Sequence, residues 1–254
     1  MRARSLLDDL RLVLLPMALL GLPGLASAAE AEPEFSTRET RAMMHDYAEC
    51  VVEKQRAKAS EAIVANVDNA ALMRRYPMLI SPTCLSDTAK SSVQMRFTGD
   101  LYRYALADAL VNRELAGWTA GDLAAVPRLA HGEPGEPPAK TTPSGKPVGK
   151  RKYEAALEAY STRSGFAYLS RFGECVVRSD AQNSKGLVLT RPDTPQEAAA
   201  FAALRPALQT CLPEGETLRF GKVALRGTIA INLYRLAHSA RSGAAVSAAS
   251  AETK

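Results

Sequence analysis

The residues best suited to chemistry in this chain are four cysteines, two of them preceded by glutamate, and three histidines. Glu49-Cys50-Val51-Val52 recurs as Glu174-Cys175-Val176-Val177, and each copy is followed downstream by a second cysteine and leucine, Cys84-Leu85 and Cys211-Leu212. A thiolate nucleophile needs a base within reach. His45 stands five residues before Cys50, a spacing that sets the two side chains apart around a helix, and the second copy carries Ser170 at the matching place. No Cys-x-x-Cys pair occurs, and no two of His45, His131 and His238 have ligand spacing, so neither a metal nor another cofactor is expected. Four cysteines in an exported chain read as two disulfides. Of the three possible connectivities, Cys50–Cys84 and Cys175–Cys211 respect the duplication, with separations of 34 and 36 residues. Loop closure of that length stabilises a fold by about 4 kcal/mol per bridge.

Glu49 and Glu174 recur together with Arg96 and Arg219. Two carboxylates at a fixed separation are what glycan cleavage requires, so an envelope hydrolase using Glu49 and Glu174 is one reading. The other, which is favoured, pairs each glutamate with the arginine of its own half, Glu49 with Arg96 and Glu174 with Arg219. A charge pair of that kind fixes geometry without implying activity, and no residue is assigned a catalytic role. Gly-x-Ser-x-Gly and Ser-x-x-Lys are both absent. The stretch 145–150 has only three residues between its glycines, and Arg151 stands where a phosphate loop needs Ser or Thr.

The elements that must carry these residues repeat as well. Placing 36–52 on 161–177, an offset of 125, gives 8 identities in 17 positions without a gap. Met43, Tyr47, Cys50 and Val51 fall on one helical stripe, reproduced by Tyr168, Phe172, Cys175 and Val176. Asp68 is placed to cap a short helix over 70–75, and Asp193-Thr194-Pro195 opens an Ala-rich helix running to about Gln209. Alternating patterns at 93–97 and 217–220 predict short strands, which are expected to pair because a lone strand gains nothing from a ladder. Amphipathic stripes through Leu101, Ala105 and Ala109, and through Leu225, Ile229, Leu233 and Leu236, close each half. The expected fold is mainly α with a minor β element. It comprises two tandem pseudo-symmetric repeats, 35–126 and 153–240, each helix, helix, short strand, helix with one internal disulfide.

Residues 1–28 combine Arg2, Arg4 and Arg11, an apolar run over 12–25 and Ala26-Ser27-Ala28, the pattern of a signal peptide cleaved before Ala29. A periplasmic or secreted location follows, and the absence of an Asn-x-Ser/Thr sequon points to a bacterial source. The formal charge is +5, of which three arginines and two aspartates fall in 1–28. Six basic and two acidic residues occupy 127–152, so that segment carries the remaining +4. With six prolines and four glycines it reads as an extended linker. It holds no aromatic residues for bases to stack on, so no nucleic-acid partner is expected, only weak contact with an anionic envelope surface. Residues 241–254 are Ala/Ser-rich and expected to be disordered. The function expected is that of an exported, non-catalytic binding or structural module, its partners unspecified.

Overall fold

Apolar residues recurring every three or four positions build helix after helix in the computed structural model, which describes residues 37–88, 100–119, 123–213 and 221–252. Helix α1, Thr37–Val64, is kinked at Gln55, where φ and ψ leave the helical region at −132° and 33°. Helix α2, Asn69–Arg75, starts where expected, the Asp68 carboxylate accepting the Ala71 N–H at 2.6 Å. A single 3-10 turn, Pro77–Leu79, leads to α3, Pro82–Thr88, and then α4 spans Leu101–Leu115. The second half comprises α5, Lys150–Ser179; α6, Ala181–Val188; α7, Pro195–Ala203; α8, Arg205–Thr210; and α9, Lys222–Glu252.

Helices α4 and α9 form the centre, α4 lying against α1 and α9 against α5 and α6. In α9, Thr228 through Ala237 are all buried, so this stretch has no solvent face. Two glycines let the central helices approach. A Cβ at Gly227 would lie 2.0 Å from Cγ of Tyr104 in α4, and one at Gly173 of α5 would lie 2.3 Å from Cγ2 of Thr228. Cys50–Cys84 staples α1 to α3, and Cys175–Cys211 staples α5 to the end of α8, the pairings expected from the sequence.

A buried charge network seals the junction of the two halves. Arg226 of α9 donates to Asp108 of α4 at 2.9 Å, to the Leu187 and Val188 carbonyls at the end of α6 at 3.0 and 2.8 Å, and to Glu197 of α7 at 3.3 Å. Arg41 of α1 reaches the same Glu197 at 3.4 Å and also pairs with Asp193, whose backbone is left-handed at φ 58°. The guanidinium of Arg226 thus satisfies helix-end carbonyls and two carboxylates together, the condition for holding charge in a dry interior.

Several expectations change. The Ala-rich helix breaks at Leu204 into α7 and α8, because Pro206 has no N–H to continue the ladder. Helix α9 continues to Glu252 where disorder was expected from 241, alanine being the strongest helix former. Residues 150–152, assigned to the linker, already belong to α5. The expected strands 93–97 and 217–220, the signal segment 1–28, Arg96 and Arg219 lie outside the described residues. Among the described residues there is no strand, only an isolated antiparallel bridge between Thr141 and Pro147.

Candidate functional site

The start of the proline-rich segment is not a free linker. Residues 127–134 lie along α5 as a strap, and four of their backbone polar groups find partners on α5 and α9. Arg178 of α5 donates to the Leu123 carbonyl and, at 2.9 Å, to that of Pro127. Arg235 of α9 holds the Ala130 carbonyl at 2.6 Å, and Arg163 that of Pro134 at 3.0 Å. The Leu129 N–H donates to Glu174 at 3.2 Å. Composition alone reads this stretch as unable to bury itself, but three arginines on neighbouring helices supply the donors that its carbonyls need.

Docking of the strap brings His131 between two residues one helical turn apart on α5. Its Nδ1 is 2.8 Å from Ser170 Oγ and its Nε2 is 2.5 Å from Glu174 Oε2. Burial pushes the Glu174 carboxyl up, but Arg178, the Leu129 N–H and His131 outweigh that and hold it below the ordinary glutamate value. Burial also pushes His131 below the ordinary histidine value, against the pull of Glu174. An ionised Glu174 only accepts, so the Nε2 of a neutral His131 carries the hydrogen and Nδ1 is left as acceptor for the Ser170 hydroxyl. Ser170 Oγ in turn accepts from Asn66 Nδ2 at 3.2 Å, and Asn66 Oδ1 accepts from Arg103 Nη1 at 3.3 Å. Asn66 holds this position in a left-handed conformation, φ 50°, just past the end of α1, one of the few states that asparagine tolerates well.

This relay runs along the wall of a cleft of about 960 Å³ bounded by the end of α1, α2, α4, the strap, α5 and α9. Its apolar surface comes from such residues as Val67, Ala71, Met73, Phe166 and Ile231, and its polar groups from Asn66, Ser170, His131 and Asn232. The Arg103 guanidinium is stacked 4.6 Å from the Phe166 ring centroid. Asn232 is buried at 1% exposure and donates to the Thr228 carbonyl at 2.9 Å, while its Oδ1 has no hydrogen-bond partner.

The residues singled out by sequence are placed apart. All four cysteines are bridged, so Cys50 is no nucleophile. Glu49 is half exposed on α1 with its Oε1 3.6 Å from His45 Nδ1, whereas Glu174 is buried under the strap, and neither lines the cleft. His45, Asp46 and Glu49 present ligand atoms within 4.8 Å of one another and could hold one cation, although Arg191 already contacts Asp46 at 3.1 Å. Sequence reasoning set His131 aside as a linker residue and noted Ser170 only as the counterpart of His45. The available signal was Ser170 and Glu174 at i and i+4, which places both on one face of α5. Comparison with protein-family models, with curated proteins and with solved structures finds no match to this chain, so the functional argument rests on the geometry of the cleft.

Proposed function

We propose that the protein is an exported, disulfide-stapled helical module that binds a small amphipathic molecule in the cleft between α2, α5 and the strap. The observation that carries this reading is the cleft itself, about 960 Å³ and within the size range of small-molecule sites. Apolar walls suit a hydrocarbon body, and the polar groups of Asn66, Ser170 and His131 along one wall suit a polar head. The two disulfides, together with the absence of a membrane-crossing helix among the described residues, are compatible with a periplasmic or secreted location. N-terminal sequencing of the exported protein tests that part, with Ala29 expected as the first residue.

We further infer that the halves arose by duplication and that the cleft is one of two related sites. With the offset of 125, the kink at Gln55 corresponds to the break at Asp180 between α5 and α6. Arg103 and Arg226 share the offset of 123 that relates Arg96 to Arg219. Arg41 corresponds to Phe166, and His45 to Ser170. On this correspondence, the site beside Arg226 is closed by Arg41 and its carboxylates, whereas the site beside Arg103 is lined by Phe166 and stays open. The paired-carboxylate alternative has less support, since both Glu174 oxygens are engaged and Glu49 does not line the cleft.

Titration of the oxidised protein with a neutral solvatochromic dye is the test. One site per chain is expected. Gly165 lines the cleft with open space at its Cβ position, so Gly165→Trp is expected to weaken binding at least about 10-fold by filling the volume. Dye binding that is absent, or unchanged in a folded Gly165→Trp variant, would remove the reading.

A further inference from the structure

We propose that Ser170 is an acyl-accepting nucleophile with His131 as its general base, and that the cleft hydrolyses small carboxylic esters. The proposal shares its cleft with the binding reading and asks more of it.

Three geometric conditions define an activated hydroxyl: a base hydrogen-bonded to it, a third group orienting that base, and a space beside it for a substrate. Ser170 meets all three. His131 Nδ1 lies 2.8 Å from Oγ, Glu174 lies 2.5 Å from the far ring nitrogen, and both Ser170 and His131 line the cleft. The hydrogen-bond direction is also the productive one. Asn66 already donates to Oγ, so the serine hydrogen is free to point at Nδ1, and the ionised Glu174 holds the imidazole in the tautomer that can receive it. A purely structural clamp for the strap would need Glu174, Arg178 and the strap carbonyls, but it would not need a hydroxyl facing the cleft.

In the reaction, Ser170 Oγ bonds to the ester carbonyl carbon while its proton moves to His131 Nδ1. Asn66 Nδ2, whose Oδ1 is held by Arg103, is the donor beside Oγ placed to take the charge that builds on the carbonyl oxygen. The bond from the carbonyl carbon to the leaving oxygen then breaks, and the leaving alcohol takes the proton from His131. Water, the co-substrate, gives a proton to His131 and attacks the acyl-serine. The carboxylic acid departs, and Ser170 recovers its hydrogen. Apolar walls favour an uncharged ester with a short acyl or alkyl chain over a polar one.

The test uses the full oxidised mature chain, a fluorophosphonate probe and p-nitrophenyl butyrate, with neutral-dye binding measured on the same samples. The expected result is one phosphonyl adduct at Ser170 by peptide mapping. Ser170→Ala should form no adduct and should lose at least about 100-fold in hydrolysis, since nucleophile and base act as one unit, while its circular dichroism remains that of the folded protein. Dye binding without an adduct overturns the proposal and leaves the binding reading intact, whereas an adduct without dye binding does the reverse. Wild-type protein supplies a second measurement that needs no variant. Adduct formation should slow as His131 gains a proton in the field of Glu174, Arg171 and Arg235, the charged groups that act on it. A labelling rate that stays flat from pH 6.5 down to the acid limit of the folded protein, the span in which the lowered His131 must take up its proton, overturns the base assignment.

Discussion

At the scale of residues, the informative contrast is between Glu49 and Glu174, which share a motif and differ in surroundings. Glu49 is half exposed beside His45, while Glu174 is sealed under the strap with Arg178, Leu129 and His131. The motif was legible in the sequence, but the partners were not, because His131 arrives from 43 residues away in a segment whose prolines and glycines carry no periodic signal. The resulting pH dependence has a definite sign. His131 titrates below its ordinary value of 6.5 and Glu174 below 4.5, so the unfolded chain binds more protons than the folded one as the solution is acidified. The His131 contribution is fully present above 6.5 and is lost as pH falls through its folded value, and Glu174 adds a second loss below 4.5. Protection of the Leu129 N–H from hydrogen exchange, taken relative to the intrinsic exchange rate at each pH, should therefore fall on acidification, in two steps. His131→Gln, which cannot titrate, should remove the first step only, and equal protection at all pH values would contradict the assignment.

Among elements, close approach sets the cost of change. An alanine in an exposed helix position is favoured over glycine by about 1 kcal/mol, so Gly186→Ala, with open space around the new methyl group, should raise stability slightly. At Gly227 the same substitution drives a methyl group into Tyr104 and should cost about 3 kcal/mol, the upper end of overpacking. Urea denaturation of the two variants should thus give opposite signs. Helical type and the caps at Asp68 and Thr194 were legible from local chemistry, and both caps form. Contacts between helices were not, because nothing local distinguishes Gly227 from Gly186. Arg226 belongs to the same class. It sits on an apolar stripe and is satisfied only by groups from α4, α6 and α7. Arg226→Met removes a buried cation and leaves Asp108 and Glu197 facing each other's charge without it, so a loss of about 3–5 kcal/mol is expected. The double variant Arg226→Met with Asp108→Leu should recover part of that loss in the same denaturation measurement.

The whole molecule is joined through its centre rather than through its connection. Neither disulfide crosses from one half to the other, since 50–84 and 175–211 each lie within a half. What links the halves is the α4–α9 seam, the Arg226 network and the strap as far as Pro134. Beyond Pro134 the chain is mostly exposed, closed on itself by the bridge between Thr141 and Pro147 and by hydrogen bonds between Thr142 and Lys146 and between Lys140 and Val148. The covalent link is therefore dispensable where the packing is not. Limited proteolysis should nick the exposed stretch 135–148 first, exposed loop tips being the preferred sites of cleavage. The two fragments should then co-elute as one particle and unfold in a single transition, because separating them would expose the fully buried stretch Ile229–Ala237 of α9 to water. Two independently folding domains on a linker would instead separate after the nick and melt apart. Size-exclusion chromatography of the nicked, oxidised protein distinguishes the two cases, and the cleft gives a further readout. Its walls come from α2 and α4 on one fragment and from α5 and α9 on the other, so dye binding should survive the nick only if the halves stay packed.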